Sequence, residues 1–176
     1  MDSDSFKKAL GRFASGVTVL TLKTEDGDDH GMTASAFSSL SLGPPLVLVC
    51  VKVGNRTHGH LEQTDAFGIN LLGANQQALS NRFAGGIVSE EGKWLPWPAD
   101  RDKFEDLDFV RGEASGAALL GGSLACLDCT KHAELDGGDH IIYVGKVESI
   151  HFPEDGVDDP PLIYFRGKYR DISSND

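Results

Sequence analysis

Most of the apolar positions in this chain recur with the short period of strands. Leu46 to Val51 is an unbroken apolar run rich in β-branched residues. Between turn signals, such a run predicts a strand buried on both faces. Gly31 to Ser41, just upstream, is small and hydroxylated: Thr33, Ser35, Ser38, Ser39 and Ser41 alternate with Ala34, Ala36 and Phe37. Pro44-Pro45 separates the two parts, which supply the second and third strands. Gly16 to Lys23 is the first, closed by an Asp26-Gly27 turn in a loop longer than two residues. Phe67 to Leu72 is the fourth. Ser123 to Leu135 and His140 to Phe152 form a long pair around Asp136-Gly137-Gly138-Asp139. After Pro160-Pro161, Leu162 to Phe165 is a last short strand, with a turn at Gly167.

Helical spacing is sparser. Phe6, Leu10 and Phe13 fall on one face after a cap at Asp4 or Ser5. A short polar helix starts at Asn55-Arg56-Thr57. A third runs from Asn75 to Phe83 with Leu79 and Phe83 inward. Gly85 to Glu105 has no period, yet holds both tryptophans, Trp94 and Trp97. Long loops of this kind are functional or mobile. Many strands, few helices and Gly-rich turns predict a mainly β, antiparallel barrel rather than alternating βαβ units.

Composition narrows the function. The 176 residues suit one domain, 1–176. No apolar run approaches the ~20 residues that span a bilayer, and the first ten residues lack a signal pattern, so a cytoplasmic protein is expected. With Lys+Arg 16 and Asp+Glu 27 the formal charge is −11. That excludes nucleic acid and anionic membranes as natural partners. Any anionic ligand needs a local positive patch inside this field.

Candidate chemistry is mostly non-covalent. There is no GxGxxG, no phosphate-binding GxxxxGK[ST] and no GxSxG. Cys126-x-x-Cys129 is a single pair at odd spacing on a strand, so the thiols face opposite ways and read as core. His58-x-His60 lacks a third ligand in register and reads as a solvated helix start; no metal is expected. Arg56 and Thr57, a cation and a hydroxyl at a helix start, suit a phosphate. Thr33, Ser35 and Ser38 offer uncharged donors and little bulk, which suits a flat, polar-edged ring.

The run GMTASAFSSLS…PPLVLVCV, Gly31 to Val51, resembles the flavin-binding signature of the short flavin reductases with the FMN-binding split-barrel fold. Three further segments match in order: ALSNRFAG from Ala78, GDHIIYVGKV from Gly138 and PLIYFRGKYR from Pro161. Together they cover nearly the whole chain, and relative to the pattern Gly85 to Glu105 is an insertion. The resemblance implies a Greek-key split β-barrel and a homodimer. It also implies an NAD(P)H:flavin oxidoreductase that hands reduced FMN or FAD to a separate monooxygenase.

The implied site is extensive. Met32, Thr33, Ala34, Ser35 and Ala36 line the ring and ribityl chain, and Ser38 and Ser39 add donors. The backbone of Val49, Cys50 and Val51 borders the ring. Asn55, Arg56, Thr57, Arg82 and Phe83 hold the phosphate end. His140, Arg166 and Tyr169 lie toward the nicotinamide of NADH or NADPH. No residue acts as nucleophile or general base; His140 positions the nicotinamide. Two rival functions are direct reduction of a small substrate and non-catalytic flavin binding. The residues leave FMN against FAD, and NADH against NADPH, open.

Overall fold

The computed structural model describes residues 1–153, 159–170 and 172; the rest of the expected 1–176 domain lies outside the described residues. Helix α1 (Ser3–Leu10) opens the chain. Its cap is Asp2, not Asp4 or Ser5. Asp2 is extended, and its carboxylate accepts the N–H groups of Asp4 and Ser5, both at 3.0 Å. None of α1 is buried.

Strands β1 (Ser15–Gly16), β2 (Thr18–Lys23), β3 (Asp29–Ala34), β4 (Phe37–Leu42) and β5 (Pro45–Lys52) follow. Gly31 to Val51 therefore enters three strands rather than two, because Ser35-Ala36 is a corner between β3 and β4. Helix α2 (Arg56–Gln63) leads to β6 (Ala66–Leu71). The Asn75–Phe83 helix is a 3₁₀ turn, Ala74–Gln76, followed by α3 (Gln77–Phe83). The 85–105 segment is not structureless: β7 (Gly86–Val88) and β8 (Trp94–Pro96) pair as a hairpin. Strands β9 (Phe109–Arg111) and β10 (Ala118–Leu120) form another that periodicity missed. Long β11 (Ala125–Asp136) and β12 (His140–His151) pair as expected. The last expected strand is β13 (Ile163–Phe165), which turns at Gly167 into β14 (Lys168–Arg170).

Seven strands make one sheet in the order β3-β2-β6-β11-β12-β5-β4, every pair antiparallel. The two edge strands, β3 and β4, are consecutive in the chain, so the Ser35-Ala36 corner brings the edges together and curls the sheet into a barrel. Between β3 and β5 the barrel stays split, and α2 sits against both. His30 Nε2 lies 2.8 Å from Thr57 Oγ1, and the Asn55 amide donates to Met32 Sδ at 3.5 Å. These contacts tie α2 to β3.

Two cores result. Inside the barrel lie Leu20, Leu22, Val47, Val49, Val51, Leu61, Phe67, Ile69 and Tyr143. Outside β2, Val17, Val19, Leu72, Phe83, Phe104, Leu120 and Leu162 pack together. Each such side chain contributes about 1.5–3 kcal/mol of burial. Gly31 belongs to the seam: a Cβ there would lie 2.6 Å from the Phe83 ring.

Strand β5 departs from the expectation of burial on both faces. Val47, Val49 and Val51 are buried, whereas Leu46, Leu48 and Cys50 are only half-buried. The outer face is apolar but uncovered among the described residues. The unbroken apolar run hid an alternating strand.

Candidate functional site

Three adjoining clefts follow β3 and the corner after it. The first, about 340 Å³, is lined by His30, Gly31, Arg56, Trp97, Arg101 and Lys103. The second, about 680 Å³, is lined by Thr33, Ser35, Asn81, Trp94, Tyr164 and Tyr169 among others. The third, about 690 Å³, takes in Ser35 to Ser38, Leu48, Cys50, Phe13 and Arg166. Ser35, Tyr164 and Gly167 line both the second and the third. The series is cationic at one end, aromatic and amide-lined in the middle, and apolar at the other.

The cationic end is electrostatically unsettled. Burial pulls the Lys103 ammonium below its ordinary value, and Arg56 lowers it further. Asp29, on the rim, is committed to Lys23 and Arg111. Asp102 is occupied by the Phe104 N–H at 2.9 Å. His30 is pushed from 6.5 down to about 4, by burial first and then by His60, Arg56 and Lys103. It is therefore neutral at pH 7. Arg101 is paired with Glu105 at 2.8 Å, but Arg56 and Lys103 have no carboxylate partner among the described residues, and two such cations side by side form a site suited to an anion.

The other end offers backbone. Strand β4 pairs with β5 only as far as Val49, and beyond it the Cys50 N–H reaches Ala36 O at 2.9 Å. Past Cys50 that edge of β5 has no strand beside it among the described residues, which leaves polar backbone for the rim of a ring. Cys50 itself is no nucleophile: burial raises its thiol pKa.

The expected site residues divide accordingly. Thr33, Ser35, Ala36, Ser38, Cys50, Arg166 and Tyr169 line the second and third clefts, and Arg56 the first. Thr33 Oγ1 also donates to Ser80 O at 2.6 Å, and Tyr169 Oη lies 2.8 Å from Ser80 Oγ. The side chains of Ala34, Val49 and Val51 point into the barrel core, and Met32 packs against it. Asn55 caps α2, accepting the His58 N–H at 2.7 Å. Thr57 is 3% exposed, its hydroxyl 2.8 Å from His30 Nε2, and it is not among the residues that line the first cleft. Phe83 is 2% exposed in the outer core and acts through packing alone. The Arg82 guanidinium donates to Glu105 O at 3.0 Å and lies 4.8 Å from the Trp97 ring, behind the cationic cleft. Ser39 only accepts from Ser38 at its carbonyl, at the exposed strand edge.

His140 stands apart but on the same sheet face. Its ring Nδ1 is 2.8 Å from Asp139 Oδ1. It lies across from Lys52, and the next cross-strand pair on that face is Ile142 with Cys50. That is about 7 Å, two strand residues, from the third cleft.

The histidine pair and the cysteines are structural. His58 Nδ1 meets Tyr143 Oη at 2.8 Å, a phenol that burial pushes up to about 12. The Cys126 and Cys129 thiols are free, buried and raised to about 11 and about 12, chiefly by burial. No group of three or more His, Cys, Asp or Glu able to hold a metal occurs among the described residues. Several cleft residues were not foreseen, His30, Arg101, Tyr164, Lys103 and Asn81 among them. Lys103 lies in the aperiodic segment, and Asn81, in the middle of ALSNRFAG, reads as a solvated helix position.

Comparison with known proteins agrees with this geometry. The model of the flavin reductase like domain matches residues 10–173. The reductase component of 4-hydroxyphenylacetate 3-monooxygenase from Thermus thermophilus is 40% identical over 171 residues, covering 95% of each chain. An NADH-dependent flavin reductase from a Rhodococcus species is 38% identical, covering 94% of this chain and 84% of its own. Among solved structures, the NADH:FAD oxidoreductase SgcE6 of Streptomyces globisporus, in complex with NAD and FAD fragments, superposes with a TM-score of 0.83. It shares 32% identity and covers 99% of this chain and 94% of its own.

Proposed function

The chain belongs to the flavin reductase like domain family, and we propose that it is an NAD(P)H:flavin oxidoreductase that supplies reduced flavin to a partner monooxygenase. The observation that carries this is the row of clefts along β3, cationic at one end in a chain of net charge −11.

The residues present fit a flavin. Arg56 and Lys103 hold a phosphate. Thr33, Ser35 and Ser38 supply donors along the middle, and the open edge of β5 past Cys50 borders a ring. A bound flavin supplies the hydride acceptor and carries the electrons away. The chain's own work is to bind, to hold two flat rings in register and to keep water out. His140, held by Asp139, orients the nicotinamide from the same sheet face as the third cleft, with Arg166 and Tyr169 in the cleft lining. No side chain in the clefts is poised as nucleophile.

The same proposal takes residues 1–176 as one domain and the assembly as a homodimer. Phe13 and Leu42 are 80% and 97% exposed, and Phe6, Leu10 and Leu40 at least half. A monomer seldom leaves so much apolar surface open. A cytoplasmic setting accords with three unpaired cysteines and a nicotinamide donor.

Steady-state oxidation of NADH and NADPH, with FMN and FAD in turn, tests the function. Oxidation that depends on added flavin is expected. Oxidation only with another acceptor points to direct substrate reduction. Tight flavin binding without nicotinamide oxidation points to a carrier.

A further inference from the structure

We propose that Asn81 is a recognition residue for a planar heterocycle that presents a hydrogen-bond donor and acceptor side by side on its rim. The reductase proposal supplies only the identity of the candidate rings. Asn81 lies on α3, is 5% exposed and lines the middle cleft. Its amide has no hydrogen-bond partner among the described residues. The contrast with Asn70 is direct. Asn70, fully buried, donates to Val19 O at 3.0 Å and Thr21 Oγ1 at 3.2 Å, and accepts the Leu120 N–H at 2.7 Å. Asn81 is not sealed in either. Among the described residues, only the Ser123 hydroxyl is both unpaired and fully enclosed. The Asn81 amide therefore keeps its remaining contact with the cleft.

An amide with no protein partner that still opens on a cleft is free to pair with a ligand, and the enclosed setting strengthens that pairing. A carboxamide carries its own donor and acceptor side by side. Its complement is a ring edge with the same pair reversed, as when Asn reads adenine. The walls fit a ring. Trp94 lines the cleft with its indole on Gly86, where a Cβ would come within 2.2 Å of it. Tyr164 and Tyr169 line the same cleft, edge to face at 5.3 Å. Tyr169 is fixed by Ser80 at 2.8 Å. Aromatic walls with one amide at the rim select flat heterocycles by stacking and read them by one edge.

Three rings of the proposed reaction share this chemistry: the flavin pyrimidine edge, adenine, and the nicotinamide carboxamide. Riboflavin, ADP and nicotinamide mononucleotide are the separate probes. Calorimetric titration of wild type, Asn81→Leu and Trp94→Ala distinguishes them. The expected result is a loss on the order of tenfold for one probe in both variants, with the other two unchanged. The affected probe names the ring. Asn81→Leu should keep the melting temperature, since it removes no hydrogen bond among the described residues; a lowered melting temperature with all probes weakened equally overturns the proposal in favour of a packing role. Unchanged binding of all three probes in both variants, or no binding to wild type, also overturns it. Failure of wild type to oxidise a nicotinamide with any flavin sinks the reductase proposal instead, and leaves these titrations standing.

Discussion

Removing one charge from the first cleft is the sharpest perturbation of the phosphate end. Arg56 and Lys103 share a cleft whose carboxylates are committed elsewhere, and Lys103 is held below its ordinary pKa by burial and by Arg56. A phosphate between them relieves that repulsion and gains charge-assisted hydrogen bonds, worth about 1.5–3 kcal/mol each. At about 1.4 kcal/mol per tenfold, Arg56→Ala or Lys103→Ala should weaken FMN roughly 10–150-fold. Riboflavin, which lacks the phosphate, should bind both variants as it binds wild type. Arg82→Ala should cost less than either, because its guanidinium is already bonded to Glu105 O and stacked on Trp97. Titration by flavin fluorescence at two salt concentrations measures all of this. Equal losses for FMN and riboflavin would refute the reasoning, since the residues would then shape the cleft without touching phosphate.

Acid should destabilise the fold through His30. Its folded pKa of about 4 lies below the ordinary 6.5, so the unfolded chain binds the extra proton first. Stability is then lost as pH falls from about 6.5 to about 4. The full shift corresponds to ~3.4 kcal/mol, and partial exposure reduces this to about 1–2 kcal/mol. Urea midpoints across that window should show the slope in wild type and its loss in His30→Gln. His140→Ala should lower kcat/KM for the nicotinamide roughly 10–100-fold, about 1.4–2.7 kcal/mol, with flavin affinity little changed; wild-type rates in stopped-flow reduction would count against a positioning role. Light scattering at micromolar concentration should report a dimer, and a fully active monomer would contradict the proposed assembly.

The strand plan was legible because alternation and turn residues are local. The apolar repeats found β2, β5, β6, β11 and β12, and Asp136-Gly137-Gly138-Asp139 marked the longest hairpin. Three-residue strands such as β9 and β10 carry no period, so they left no trace. The outer face of β5 escaped because Leu48 and Cys50 are as apolar as the buried valines; sequence hydrophobicity does not say whether something covers it. Among site residues, hydroxyls at the β3–β4 corner were visible as small polar residues in an apolar setting. The burial of Thr57 was not, since it depends on His30 meeting it from another strand. Lys103 and Asn81 gain their meaning from residues far away in sequence, Arg56 for one and the Trp94 and Tyr169 walls for the other.

The net charge of −11 and an anion site are reconciled by distance. The first cleft holds about 340 Å³, roughly 7 Å across by its cube root, which is inside the ~8 Å Debye length at physiological salt. A ligand in it experiences Arg56, Lys103 and Arg101 before it experiences most of the chain's carboxylates. Two of the nearby carboxylates are paired with cations: Asp29 with Lys23 at 3.2 Å and Arg111 at 2.8 Å, and Glu105 with Arg101 at 2.8 Å; Asp102, also on the cleft lining, accepts the Phe104 N–H. Lys23, Arg111 and Arg101 are thus spent on acids at the rim, and Arg56 and Lys103 keep the positive potential of the cleft. Outside that radius the field turns repulsive to any dinucleotide. Attraction that is strong at contact and absent at range secures a bound phosphate without drawing anions over the rest of the surface, which suits a protein whose ligand must arrive, be reduced and leave.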